Sequence, residues 1–206
     1  MSHQARSLVG SRSARPAAVP VERPPFVALA DALTRAVTRV VVVPGKPVDK
    51  LTAHLPADVV VEAGDEKSGF EHAVGLAFGG RPSATLFKGV GVSHAWDSIT
   101  NAVAHGTVDG GPLLIVAADD PVADASTVIV DSRALAGTVD LAVIEPCAAE
   151  HVGAAVELAA LMSRTVGEPV MIRYTPELAE MPPATVGAAE AVEAGLAGAG
   201  FGRHDR

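Results

Sequence analysis

The stretch Val59-Val60-Val61-Glu62-Ala63-Gly64-Asp65-Glu66-Lys67-Ser68-Gly69-Phe70-Glu71-His72-Ala73-Val74-Gly75-Leu76-Ala77-Phe78 changes its hydrophobic pattern partway along. It opens as an apolar run closed by an acid, and the turn residues Ala63-Gly64-Asp65 end that run. From Glu66 onward, Phe70, Ala73, Val74, Ala77 and Phe78 fall on one face at the i, i+3, i+4, i+7, i+8 spacing of an amphipathic helix. A strand, a short turn and a helix form the repeating unit of an α/β sheet. Glu66 sits at the junction. A carboxylate there lies near the carboxyl edge of the sheet, where open α/β folds bind ligands. The plainer alternative is a helix-start acid favoured by the helix dipole.

The same alternation runs along the middle of the chain. Strands are expected at Arg39–Val43, Val59–Glu62, Ala84–Lys88, Leu113–Ala118, Leu141–Ile144 and Val170–Tyr174. Helices are expected at Phe26–Val37, Val48–His54, Glu66–Phe78, Ala95–His105, Ser132–Ala136 and Ala148–Val166. Runs such as Val40-Val41-Val42-Val43 are apolar on both faces, as strands of a doubly covered parallel sheet are. The fold class is therefore α/β: an open, mostly parallel six-stranded sheet with helices on both faces. In such a sheet, the segments after the strands share one edge: Pro44-Gly45-Lys46-Pro47, Gly64-Asp65-Glu66, the glycine loop Gly89-Val90-Gly91-Val92-Ser93-His94, Asp119-Asp120-Pro121 and Glu145-Pro146.

Composition narrows the function classes. A chain of 206 residues that is 49% hydrophobic supports one domain with tails. The net charge of -8 argues against a nucleic-acid surface, which needs a basic stripe. A single cysteine, Cys147, rules out a disulfide framework and an intrachain iron–sulfur site, and points to a reducing, cytoplasmic compartment. No apolar run has the length of a membrane span. Residues 1–25, with four arginines and no acid before Glu22, have the composition of a transit peptide but lack its periodicity, and read as a disordered tail. The domain is expected over 26–178. Residues 179–206 form an Ala/Gly-rich tail with a helix over Val186–Leu196 and Thr185 as its N-cap.

Several motifs have simpler readings than chemistry. Gly89-Val90-Gly91 lacks the third glycine of a dinucleotide fingerprint, and neither Lys46 nor Lys88 has P-loop spacing. Ser93, His94 and Asp97 lack a nucleophile elbow, so Ser93 reads as a cap and His94 as solvated. Asp119 and Asp120 could bind a metal, but Asp120 before Pro121 reads as a turn or helix-start residue, and Asp131-Ser132-Arg133 reads as an internal ion pair with a cap. Cys147 reads as a small residue near a helix start with no base beside it.

Taken together, these segments resemble a known family. Asp65-Glu66-Lys67 through Phe70-Glu71, followed by Ala73-Val74-Gly75-Leu76-Ala77 and by Gly80-Arg81-Pro82-Ser83-Ala84-Thr85-Leu86-Phe87-Lys88-Gly89-Val90-Gly91, resembles the pyrimidine-binding (PYR) domain of thiamine-diphosphate enzymes. Within that group the motif set most resembles the alpha subunit of indolepyruvate:ferredoxin oxidoreductases. Pro44-Gly45-Lys46-Pro47 is similar to its Pro-Gly-Thr-Pro loop, Ala117-Ala118-Asp119-Asp120-Pro121 to its Asp-Asp-Pro turn, Asp131-Ser132-Arg133 with Ile144-Glu145-Pro146 to its Asp-Ser-Arg and Leu-Glu-Pro pair, and Pro169–Arg173 to its last strand. The resemblance covers residues 26–175. It omits the Gly-Asp-Gly start of a diphosphate-binding (PP) domain and the cysteine-rich iron–sulfur ligation.

The resemblance implies half of an active site. Glu66 would hydrogen-bond the N1′ atom of the cofactor's aminopyrimidine, and sharing a proton there favours the tautomer that removes the thiazolium proton. Gly45, Gly89, Val90 and Gly91 would contact the cofactor. Lys46 and His94, where the look-alike has Thr and Asn, would contact a 2-oxo acid substrate. Glu71, five residues on, turns away from Glu66. Thiamine diphosphate is the implied cofactor, with Mg2+ held by a separate PP-domain subunit in a hetero-oligomer such as α2β2. The reaction would be decarboxylation of a 2-oxo acid, with oxidative or non-oxidative completion. Two other readings stand beside it: a non-catalytic structural partner of a PP-domain subunit, and a free flavodoxin-like binding module.

Overall fold

The computed structural model describes residues 22–107, 110–123, 127–181 and 184–185. Six strands form one sheet: β2 (Arg39–Val42), β3 (Val60–Glu62), β4 (Ser83–Lys88), β5 (Leu113–Ala118), β6 (Ala142–Ile144) and β7 (Val170–Tyr174). Their order is β3-β2-β4-β5-β7-β6, and every pairing is parallel. The expectation of a mostly parallel sheet thus becomes an all-parallel one. β1 (Glu22–Arg23) and β8 (Ala184–Thr185) pair antiparallel in a separate two-stranded ribbon, which joins residues read as belonging to the two tails. The helix expected over Val186–Leu196 lies outside the described residues.

The helices are α1 (Pro25–Ala36), α2 (Val48–Thr52), α3 (Glu66–Phe78), α4 (Gly89–His94), α5 (Trp96–His105), α6 (Ser132–Ala136), α7 (Val152–Val166) and α8 (Pro176–Glu180), with a 3₁₀ turn at Ala149–His151 before α7. Two departures from expectation matter. Residues Gly89–His94 are a short helix, not a glycine loop. Two glycines and two β-branched valines in six residues carry no helical signal, so the neighbours must impose it. Phe78 is exposed, because α3 ends there in Gly79-Gly80 beyond the rim of the sheet.

The strands sort their side chains by parity. In β5, Leu114, Val116 and Ala118 face one core with α1 and α7, while Leu113, Ile115 and Ala117 face a second core with α3, α5 and Met171. Both faces of the sheet are therefore dry, which is why the central strands are continuously apolar. Among the described residues no helix is long and apolar enough to cross a membrane.

All carboxyl ends of the six strands lie along one edge. β2 is followed on one side by β3 and on the other by β4, so a switch point falls between β2 and β4. α3 starts just after β3 and packs on β2, and α4 starts just after β4 and packs on α3. Leu86 lies in β4 beside that crevice and is fully buried. Leu86→Ala is expected to cost ~2–5 kcal/mol of stability by transfer and cavity terms. Urea unfolding followed by circular dichroism measures it.

Candidate active site

The start of α3 is built by its cap. Asp65 is extended (φ -154°, ψ 165°), and its carboxylate accepts the Ser68 backbone N–H at 2.8 Å and the Ser68 hydroxyl at 2.8 Å. The Ser68 backbone donor is the main reason the Asp65 carboxyl is held below its ordinary value. This capping frees the next residue, Glu66, to turn inward. Its side chain is 13% exposed, whereas the flanking residues Asp65 and Lys67 are exposed.

Glu66 lies directly against α4. A Cβ built on Gly91 would stand 2.7 Å from Glu66 Cγ, 2.8 Å from Oε1 and 3.1 Å from Cδ. Any side chain at position 91 would collide with the carboxylate, so the glycine is required by close approach. The other oxygen, Oε2, is 3.3 Å from His94 Nδ1. Glu71, as expected, faces elsewhere: it accepts a 2.7 Å hydrogen bond from Ser98 on α5. Lys67 is engaged with Asp97 at 2.7 Å, a bond that raises its pKa.

The other predicted site residues distribute around this edge. Gly45 lies under the Lys88 side chain, whose Cδ and Cε would be 3.5 Å from a Cβ there. Lys46 is exposed in the same loop. Val90 lines a small crevice with Lys88, Ala118 and Asp120. Ser93 does not cap a helix; its hydroxyl donates to the Val90 carbonyl within α4 at 2.6 Å. The His94 ring, read as solvated or substrate-facing, is 64% exposed yet makes the Glu66 contact. Cys147 is exposed and, against expectation, has a base near it: His151 Nδ1 is 3.5 Å from its sulfur, one helical turn on.

Gly89 is held by a different acid. A Cβ there would be 2.0 Å from Asp119 Oδ1, so the Asp119 carboxylate rests on the bare backbone at the start of α4. Asp119 is fully buried. Its Oδ2 accepts from the Ser132 backbone N–H and hydroxyl, each at 2.9 Å, and from Arg173 Nε at 2.6 Å. Arg173 bonds Glu145 through its other nitrogen, Glu145 bonds Arg133 at 3.0 Å, and Arg133 bonds Asp131 at 2.7 Å. Asp131 also accepts the Arg133 backbone N–H, which bears out its reading as an ion pair with a cap.

Sequence reasoning missed the centre of this network. Arg173 was read only as part of a strand, although a guanidinium between Ile172 and Tyr174 in a buried strand requires an anionic partner. Asp119 and Glu145, both expected at the same edge, are the available anions. Among the described residues no group of three or more His, Cys, Asp or Glu is arranged to hold a metal ion.

No family model matches the chain. It is 32% identical over 145 residues to indolepyruvate oxidoreductase subunit IorA of Pyrococcus abyssi, an alignment covering 67% of this chain and 22% of the relative. The chain thus spans about a fifth of the length of that relative. Among solved structures, 2-oxoglutarate:ferredoxin oxidoreductase from Magnetococcus marinus superposes with a TM-score of 0.63 at 16% identity, covering 84% of this chain and 32% of that one. A thiamine diphosphate-dependent 4-hydroxybenzoylformate decarboxylase of Rhodococcus jostii RHA1 superposes with a TM-score of 0.62 at 20% identity, covering 88% of this chain and 34% of that one. The domain is PYR-like, of the kind found in thiamine-diphosphate-dependent enzymes.

Removing Asp119 would leave the Arg173 guanidinium buried with the best-buried of its three carboxylates gone, Glu145 and Asp131 remaining. Asp119→Ala is therefore expected to lose ~3–5 kcal/mol in chemical denaturation. Asp131 gives a pH-dependent counterpart. Hydrogen bonds from the Arg133 side chain are the main cause that lowers its carboxyl from 3.8 to about 2. With the folded pKa below the unfolded one, its contribution is fully present above about pH 4 and disappears as pH falls through about 2. The group is 47% exposed, so the effect is modest. In thermal melts between those pH values, Asp131→Asn should show a shallower fall in Tm than the native chain.

Proposed function

We propose that this chain is the PYR subunit of a heteromeric thiamine-diphosphate-dependent enzyme that decarboxylates a 2-oxo acid. The observation that carries the reading is the Glu66 carboxylate laid across the bare Cα of Gly91 at the carboxyl edge of the sheet. That arrangement fits an aminopyrimidine: a flat heterocycle with a ring nitrogen needs an acid partner and a backbone without side chains beside it. Glu66 would exchange a proton with the ring nitrogen, and Gly91 with Val90 would form the wall beside it. Gly89 would act at one remove, since its Cα is covered by Asp119. Gly45 and Lys46 lie across the switch point, where the exposed ammonium of Lys46 would attract a substrate carboxylate.

When bound, thiamine diphosphate would supply an acidic thiazolium carbon and an electron sink for the bond broken on decarboxylation. This chain would contribute proton exchange at Glu66, orientation of the heterocycle, and half of the wall that keeps water out. The diphosphate and Mg2+ fall to a PP-domain partner, because this sequence has no Gly-Asp-Gly motif. The indolepyruvate relative is itself designated a subunit, which supports a hetero-oligomer such as α2β2. The partner also sets the fate of the electrons. With one cysteine among these residues, an oxidative route would need an electron acceptor, such as an iron–sulfur centre, that they do not supply, and a decarboxylase or carboligase route would need none.

The test is Glu66→Gln in the complex assembled with its PP-domain subunit. Turnover of a 2-oxo acid should fall at least about 10²-fold, the scale of a lost proton-transfer group, with assembly unchanged by sizing chromatography. Gly91→Ala should weaken thiamine diphosphate binding by calorimetry. Full turnover in the Gln variant would instead identify the chain as a structural partner of the PP subunit.

A further inference from the structure

We propose that His94 is a positioning residue for Glu66: its Nδ1–H holds one carboxylate oxygen so that the other is the atom presented to a bound heterocycle. The inference rests on the reading of Glu66 given above and adds to it the group that orients the acid. Gly91 and His94 are three residues apart on α4, so the helix shows a bare Cα and an imidazole on the same face. The carboxylate meets both. Oε1 lies over Gly91, while Oε2 is 3.3 Å from the ring nitrogen.

No other cation competes for this role among the described residues. Lys67, adjacent in sequence, is turned to α5, 2.7 Å from Asp97 and 3.9 Å from Glu71. Oε1 has no donor of its own among the described residues. It is therefore the oxygen left for a ring nitrogen. A carboxylate with two equivalent oxygens and free rotation would present either one at varying angles. A hydrogen bond to Oε2 removes that freedom before ligand arrives, which is how a supporting group improves a reacting one.

The contact also fixes the ring. In a neutral imidazole one nitrogen donates and the other accepts, and the partner of one nitrogen decides which is protonated. A carboxylate partner makes Nδ1 the donor and leaves Nε2 on the exposed side of the ring. An asparagine at position 94 would place its amide N–H at the same bond count from Cβ, so it should serve as a functional substitute where leucine would not.

The experiment is nitrogen-15 and carbon-13 NMR on the full chain, with labelled histidine and glutamate. The neutral His94 ring is expected to carry its proton on Nδ1 in the native chain and to lose that preference in Glu66→Ala. The Glu66 carboxylate line should move in His94→Leu and return in His94→Asn. In the assembled enzyme, His94→Leu should lower kcat by about 10- to 100-fold, the scale of one charge-assisted hydrogen bond, with His94→Asn restoring most of it and KM little changed. An identical ring signature in Glu66→Ala, or a carboxylate line indifferent to His94→Leu, overturns the assignment. If the cofactor reading is the part at fault, the ring signature persists. Thiamine diphosphate added with the PP-domain subunit then leaves both resonances unmoved, which overturns the heterocycle half of the assignment alone.

Discussion

Two carboxylates press on the backbone of one short helix. Asp119, from the end of β5, covers the Cα of Gly89, and Glu66, from the start of α3, covers that of Gly91. A six-residue helix with no side-chain cap has little stability of its own. It persists because it is enclosed by the sheet edge, by α3 and by the start of α6. The two glycines are what allow acids to approach that closely. The short helix thereby sets the distance between the fully buried carboxylate of Asp119 and the largely covered one of Glu66.

A chain of alternating charges runs along this edge, from the buried pair Asp119 and Arg173 through Glu145 to the exposed pair Arg133 and Asp131. Burial of Arg173 is tolerated because Asp119 and Glu145 are hydrogen-bonded to it, Asp131 lies 3.8 Å away, and Asp119 takes two further donors from Ser132. The network ties the segments that follow β5 and β6 to the end of β7. Three motifs that look unrelated in sequence, Asp119-Asp120-Pro121, Asp131-Ser132-Arg133 and Ile144-Glu145-Pro146, share this one function. The edge is thus divided. Its β5-β7-β6 side is fastened by ion pairs, and its β3-β2-β4 side carries Glu66, Gly91, His94 and Lys46.

That second side is open in the isolated chain. His94 is 64% exposed and Lys46 is exposed, although Glu66 itself is largely covered. Carbanion chemistry requires exclusion of water, and a wall on one side cannot provide it. The exposure of His94 and Lys46 on this side is the physical basis for the proposal that a partner subunit supplies the other wall.

Much of the architecture was legible from residue pattern. Strands apolar on both faces demand a parallel sheet covered by helices, and the change of period at Ala63–Glu66 places an acid at its carboxyl edge. The β5, β7 and α3 boundaries match residue for residue. Pattern failed where local preference and final structure disagree. Gly89–His94 reads as a loop because glycine and valine are poor helix formers, yet packing makes it helical. Arg173 and Asp119 are 54 residues apart, and nothing local shows that they meet. Sequence by itself determined the α/β sheet, its cores and the placement of Glu66, since these depend on side-chain period and strand direction. Only the tertiary structure decided that His94 faces Glu66, that Gly91 must lack a side chain and that Arg173 joins Asp119 to Glu145, because each is a contact between segments brought together by the order of strands in the sheet.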